Sequence, residues 1–317
     1  MLDWTDELDD IVVGSGAAPS HHGEILQGMF SVGGQPRNGL VTLPCTLYMS
    51  RARFRPDISS LVTVTPRWKT KARRAAEVAI AELGDRRGRI AGGRLEIMNP
   101  APVGRGFGSS TSDVLAAIRA VGDAFAVEFT VAEVARIAVV AETASDSLMF
   151  ENSAVLFAQR DGEIIEDFGK LLPGMHVLGF TTGSDVEIIN TLSLTPIAYP
   201  PKEIAVFGEL RSILREAVTK QDADLVGQVA TVSAEVNQRY RPMAGFDRLR
   251  QLARESEATG IQVSHSGNIV GLLFKDDDQA MARLTHAEAA LRTAGIHRRW
   301  RFRSEFAAAA GRVISVQ

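Results

Sequence analysis

Pro102-Val103-Gly104-Arg105-Gly106-Phe107-Gly108-Ser109-Ser110-Thr111-Ser112-Asp113 is the stretch of this 317-residue chain whose residue types and spacing best suit chemistry. Glycines at 104, 106 and 108 let a backbone turn sharply and approach a ligand closely. The residues from Ser109 to Phe125 read as a helix. Its unpaired first N–H groups and the positive end of its dipole would therefore face the loop. A polyphosphate suits such a place. Hydroxyls of Ser109, Ser110 and Thr111 can donate to phosphate oxygens or coordinate Mg²⁺, and Arg105 brings a cation over the same space. The segment lacks a G-K-[ST] ending and a G-x-G-x-x-G spacing, so neither common phosphate-loop signature applies. Taken alone, a Gly/Ser-rich turn whose serine caps a helix is the better reading.

The elements that must position this loop are legible in outline. From Val12 to Pro56, short apolar runs between turn formers predict strands and loops. Helical spacing spans Trp68 to Leu83, and alternation from Gly93 to Met98 predicts a half-buried strand leading into the loop. Thr130-Val131-Ala132-Glu133 is a capping-box pattern opening a helix that runs to about Glu142. Three helices are expected over 203–218, 223–238 and 246–258. Two strands, 261–264 and 269–274, flank a His265-Ser266-Gly267 turn, and a helix over about 277–293 precedes a final strand. In that strand Arg299, Arg301 and Arg303 alternate with Trp300 and Phe302, as on a solvated edge. Strands and helices that do not strictly alternate predict an α+β architecture.

Composition narrows the function classes. Hydrophobic residues make up 45% and charged residues 23%, as in ordinary globular proteins. A net charge of -3 gives no reason to expect nucleic acid. Cys45 is the single cysteine, which excludes an internal disulfide framework and a Cys-based zinc site. No apolar run is long enough to span a membrane, and the acidic start is unlike a signal peptide. No membrane partner and a cytoplasmic location are the resulting expectations.

Pro102 to Asp113 resembles the second motif of the GHMP kinases, named for galactokinase, homoserine kinase, mevalonate kinase and phosphomevalonate kinase. Ala18-Pro19-Ser20-His21-His22-Gly23-Glu24-Ile25-Leu26-Gln27-Gly28 is similar to the first motif, in the form typical of bacterial L-threonine kinases that serve cobalamin side-chain assembly. Ser264-His265-Ser266-Gly267-Asn268-Ile269-Val270-Gly271-Leu272-Leu273 resembles that branch's third motif, and Glu142-Thr143-Ala144-Ser145-Asp146-Ser147-Leu148-Met149-Phe150 its E-P-[TS]-D-[SG]-x-M-[FY] run. The four fall in the family's order. Departures are His21-His22 for smaller residues, Arg105 for Lys, Gly108 for Ala, and Thr143-Ala144 for Pro-Thr.

The resemblance implies a two-domain GHMP kinase fold, with an ATP-binding N-terminal domain (1–175) like ribosomal protein S5 domain 2 and a ferredoxin-like C-terminal domain (176–317). It implies ATP and Mg²⁺ as cofactors and phosphoryl transfer to a small-molecule hydroxyl substrate, L-threonine or a similar hydroxy amino acid. Homoserine, a sugar or a secondary-metabolite alcohol is the alternative acceptor, and a catalytically inactive nucleotide-binding regulator the alternative class. A homodimer is the one protein partner left open. Asp146, matching the family aspartate, is expected to accept or orient the substrate's hydroxyl proton, with Arg105 as the catalytic cation. Pro102, Gly104, Gly106, Phe107, Gly108, Ser109, Ser110 and Thr111 would hold the nucleotide. Ser110 and Glu142 would ligate the metal, since Mg²⁺ takes one or two protein oxygens beside phosphate oxygens. His22, Glu24, Gln27, His265, Ser266 and Gly267 are the expected substrate residues. Asp113, one helical turn beyond Ser109 and Ser110, is assigned to holding the loop.

Overall fold

The computed structural model describes residues 12–88, 90–182, 197–265 and 267–304. Its first element is a long hairpin, β1 (Gly14–Val32) and β2 (Gln35–Asp57). Gly33 and Gly34 close it, both with φ near the left-handed region (58° and 78°), as the tightest hairpin turns require. Along β2, Ala52, Phe54 and Pro56 face inward while Arg51, Arg53 and Arg55 face outward. β3 (Val62–Thr65) lies parallel to β4 (Gly92–Met98), and β4 pairs with β2. Between them run α1 (Thr70–Glu82) and a 3₁₀ turn, Gly84–Arg87. Helix α2 (Ser109–Ala124) follows, then α3 (Val131–Glu142) and a second hairpin, β5 (Val155–Ala158) with β6 (Glu163–Asp167).

The remaining chain is β7 (Met175–Thr181), α4 (Pro201–Lys220), α5 (Ala223–Asn237), α6 (Phe246–Glu255), β8 (Gly260–Val263), β9 (Ile269–Lys275), α7 (Ala280–Thr293) and β10 (Arg299–Arg303). Its strands lie in the order β10-β7-β9-β8, all antiparallel, which is the ferredoxin-like arrangement. The whole is one sheet, β10-β7-β9-β8-β1-β2-β4-β3, with β5 and β6 hung from β2. The expected division at 175/176 therefore falls at the first residue of β7. β10 is an edge strand, as its pattern predicts. Its arginines are not simply solvated, however: Arg299 and Arg301 pair with Glu288 of α7, and Arg303 with Asp276.

Two helical layers cover the sheet. Ala72, Ala75, Ala76, Ala79 and Ile80 form the inner stripe of α1, which packs on α2 and α3 in one core. A second core sets α4 and α5 against Ile25, Leu26 and Phe30 of β1. Helix α3 opens with the expected capping box: Glu133 N donates to Thr130 Oγ1 (3.3 Å) and Thr130 N to Glu133 Oε2 (2.7 Å).

Helix α2, which carries the candidate site, sits directly on β1. A Cβ placed on Gly16 would lie 2.1 Å from the carbonyl oxygen of Ala116, and one on Gly14 2.1 Å from that of Ala120. Only glycine opposite a small helix face permits this approach. Gly16→Val should therefore push α2 off the sheet and cost about 2 kcal/mol of stability by overpacking, read as a lower urea midpoint at unchanged slope.

Candidate active site

The glycine-rich segment lines a cavity of about 510 Å³ together with residues of β1, the first turns of α1 and α2 and the end of α3. Gly104, Gly106 and Gly108 all have positive φ, at 68°, 102° and 61°. At Gly108 the need is steric as well, since a Cβ there would lie 1.9 Å from the His21 ring. The His21 amide also donates to the Phe107 carbonyl (3.1 Å), so β1 holds the loop by backbone and side chain together. Behind Gly108, α2 begins with no side chain capping its first turn. Its Ser109, Ser110 and Thr111 line the cavity. An uncapped helix start in a cavity edged by Lys71 and Arg160 fits a polyphosphate.

The helix start is fixed by Asp113, which is buried. Its Oδ1 accepts from Ser50 Oγ and Asn99 Nδ2, both at 2.8 Å, and its Oδ2 is paired with Lys69. The position expected to hold the loop thus ties α2 to β2, to the end of β4 and to the entry of α1. Asn99 Nδ2 also reaches the Ser109 carbonyl at 3.2 Å.

On the facing wall a chain of hydrogen bonds joins the carboxylates. Ser110 Oγ donates to Glu142 Oε2 at 3.0 Å; Thr111 Oγ1 lies 2.8 Å from Glu142 Oε1 and 3.0 Å from Asp146 Oδ2. His21 Nε2 reaches the same Oδ2 at 2.8 Å, with His21 only 1% and Asp146 21% exposed. Burial works strongly against a charged His21, yet the Asp146 carboxylate, its hydrogen bond and Glu24 outweigh it and raise the imidazole to about 9. Burial likewise opposes the Asp146 anion, but the His21 cation and hydrogen bonds from His21 and Thr111 bring it below the usual carboxylate range. At neutral pH the pair is an imidazolium and a carboxylate.

Glu142 behaves oppositely. Burial, the largest influence, and the Asp146 charge push it up to about 7, and the Lys71 cation at 4.0 Å offsets them only in part. A buried carboxylate this short of positive charge, with a serine hydroxyl on one oxygen, suits a divalent cation. Glu142 and Ser110 are the residues that would hold it.

The other expected substrate residues sort clearly. Glu24, Gln27 and His265 line the same cavity. Glu24 Oε2 accepts from His265 N (2.9 Å) and Nδ1 (3.1 Å), which joins the first and third motifs. Gly267 lies behind the loop, where a Cβ would meet the Arg105 carbonyl oxygen at 2.2 Å. Ser266 is outside the described residues.

Three expectations change. His22 does not reach the cavity. It is fully buried among Phe107, Trp300 and Phe302, donates from Nδ1 to Gln262 Oε1 (2.9 Å), and burial lowers it to about 4, so it is neutral. His21 is the site histidine instead. The cause is a β-bulge: His21 pairs with Pro44 but Glu24 with Thr42, so one extra residue on β1 inverts the alternation. His21 and Glu24 thereby face the same side, within 4.8 Å of Asp146 and of each other. Arg105 and Pro102 do not line the cavity; the Arg105 carbonyl accepts from Asn268 N at 3.2 Å. The cations on the wall are Lys69, Lys71, Arg160 and Arg241, none singled out by the sequence pattern.

The pKa directions give two tests. His21 is raised on folding, so its contribution is complete below 6.5 and lost as pH rises through about 9. His21→Gln should cost about 2 kcal/mol near neutrality by stranding a half-buried carboxylate, with the penalty fading above that upper limit in urea titrations. Glu142 is also raised, so its contribution is present below 4.5 and lost by about 7. Glu142→Gln should therefore raise the melting temperature of the ligand-free protein in mildly alkaline buffer and leave it unchanged in acid.

Two family models match the chain in order, "GHMP kinases N terminal domain" over residues 70–150 and "GHMP kinases C terminal" over 214–289. The L-threonine kinase of Salmonella typhimurium is 36% identical over 73 residues, covering 23% of this chain and 24% of that protein. The L-threonine kinase of Citrobacter freundii is 24% identical over 182 residues, covering 57% and 62%. These matches span less than two thirds of either relative. Homoserine kinase from Cytophaga hutchinsonii shares the fold with a TM-score of 0.65 at 15% identity, over 92% of this chain and 94% of its own. Mevalonate kinase from Staphylococcus aureus does so with a TM-score of 0.57 at 16% identity, over 92% and 98%. Carrying both domains in sequence around one glycine-lined cavity, the chain belongs to the GHMP kinases.

Proposed function

We propose that this chain is an ATP-dependent kinase that phosphorylates the hydroxyl of a small metabolite, with L-threonine or a similar hydroxy amino acid as acceptor. The observation that carries the reading is the meeting, in one cavity, of an uncapped helix start behind a glycine loop and the Asp146 carboxylate, which is paired from behind with the buried His21. Bound Mg·ATP supplies the phosphoryl group and the charge that neutralises it. The loop and the start of α2 bind the phosphates, while Ser110 and Glu142 hold the cation. Asp146 orients the acceptor and takes up its proton; phosphoryl transfer asks a protein mainly for such positioning and charge neutralisation. His21 keeps Asp146 ionised and ready to accept.

For the acceptor, the two L-threonine kinases are the support. Arg241 and Glu24 on the same cavity offer opposite charges, which suit a carboxylate and an ammonium group. Residues 305–317 and 183–196 are outside the described residues and carry no part of this reading.

Purified protein with Mg·ATP should release ADP in the presence of L-threonine or L-serine, and less with homoserine, mevalonate or sugars. Asp146→Ala should lower kcat by about 10²-fold or more. ADP release that no hydroxyl compound stimulates would remove the kinase reading, and stimulation by sugars alone would remove the amino-acid acceptor.

A further inference from the structure

One side of the sheet is open where β1, β2, β4 and β3 lie together. Ala52, Phe54, Leu95 and Ile97 belong to the core on the inner side. Arg51, Arg53 and Arg55 of β2 and Arg94, Glu96 and Met98 of β4 are exposed on the other. Register brings these side by side: Arg55 is directly opposite Arg94, Arg53 opposite Glu96, and Arg51 opposite Met98. The flanking strands add no acid, with Ser15 of β1 opposite Arg53 and Thr63 of β3 beside Arg94. Four arginines thus share one carboxylate, and none of the four enters an ion pair among the described residues. Like charges directly opposite each other weaken a sheet. The face is short of negative charge.

That charge is present in the sequence. Residues 1–11 are outside the described residues; they include Asp3, Asp6, Glu7, Asp9 and Asp10 and hold no lysine or arginine. They join the described chain at Val12, two residues before Gly14, whose partner across the hairpin is Phe54. The chain therefore enters beside the Arg55–Arg94 end of the face. From β1 to β4 is two strand spacings, about 10 Å, whereas nine extended residues reach about 30 Å. Every one of the four arginines is within range of the acids.

We propose that residues 3–10 dock on the arginine face of their own chain, which closes that face to other polyanions. The proposal owes nothing to the kinase reading.

The test uses the full chain throughout. In the first arm, Arg53→Lys gives a carbodiimide an amine to join to a neighbouring carboxylate, as an amide formed with loss of water. Peptide mass spectrometry of the monomer should find position 53 joined to acids among residues 3–10. The yield should fall severalfold in about 1 M NaCl, where the screening length is about 3 Å. Links to Glu96 alone, or links to residues 3–10 found only between two chains, overturn the proposal.

In the second arm a short DNA duplex serves as a polyanion probe. Asp3→Asn, Asp6→Asn, Glu7→Gln, Asp9→Asn and Asp10→Asn together should tighten its binding about tenfold, with a log–log salt slope of about 3. Adding Arg51→Gln, Arg53→Gln and Arg55→Gln should return the affinity to the wild-type value. A gain that survives loss of the arginines comes from net charge alone and overturns the proposal. So does a wild type that binds the duplex as tightly as the amide variant, since the face is then open and nucleic acid is its partner.

Discussion

A single buried carboxylate sets the geometry on which the cavity depends. Asp113 accepts from Ser50, Asn99 and Lys69, which come from β2, from the turn after β4 and from the entry to α1. With no water to compete, losing one donor would strand charge in the interior, so the three elements are locked to the first turn of α2. That lock permits α2 to begin without a cap. A helix start left open in most proteins would be closed by a neighbouring side chain or frayed into solvent. Here it is held rigidly open, at the place where the glycine bend passes and the wall of carboxylates begins.

The same logic governs the charges around it. Three acids approach one another in the cavity, and each is settled differently. Asp146 is kept anionic by the His21 cation, Glu142 is left short of positive charge, and Glu24 accepts two hydrogen bonds from His265. A site proposed to receive a triphosphate and a cation has to tolerate their absence, and these arrangements do so without neutralising every group in advance. The shortage at Glu142 is therefore a property of the ligand-free state. It disappears when positive charge arrives.

Much of this was legible in residue order, for physical reasons that can be named. Helix α2, the capping box of α3, the strands β8 and β9, and edge strand β10 all follow from local periodicity or local hydrogen bonding. The site residues Gly104 and Gly106 to Thr111, with Glu24, Gln27, Glu142, Asp146 and His265, were legible because motifs are local, and they line one cavity. What escaped was non-local. The Gly33–Gly34 turn carries a recognisable hairpin signal, but the length of β1 and β2 follows from pairing partners far along the chain. Lys69 and Lys71 look like any surface lysines; only the packing of α1 beside α2 turns them toward the acids. The choice between His21 and His22 hinged on a single extra residue in β1, since simple alternation puts His22 on the face of Glu24. Gly23, at φ 64°, was the visible trace of that irregularity.

Strand β1 also has a mechanical consequence. Its early residues belong to one core through Ala18, and its later ones to another through Ile25, Leu26 and Phe30. Between them the ladder with β2 slips three times, between Pro19 and Ser20, between His21 and Glu24, and between Glu24 and Leu26. A beam yields where its lattice is interrupted, so any flexing of one lobe against the other is concentrated in these few residues. They are also the ones that reach Asp146 and the third motif. A ligand filling the cavity would brace the beam at its weakest section, so stiffness would arrive with it.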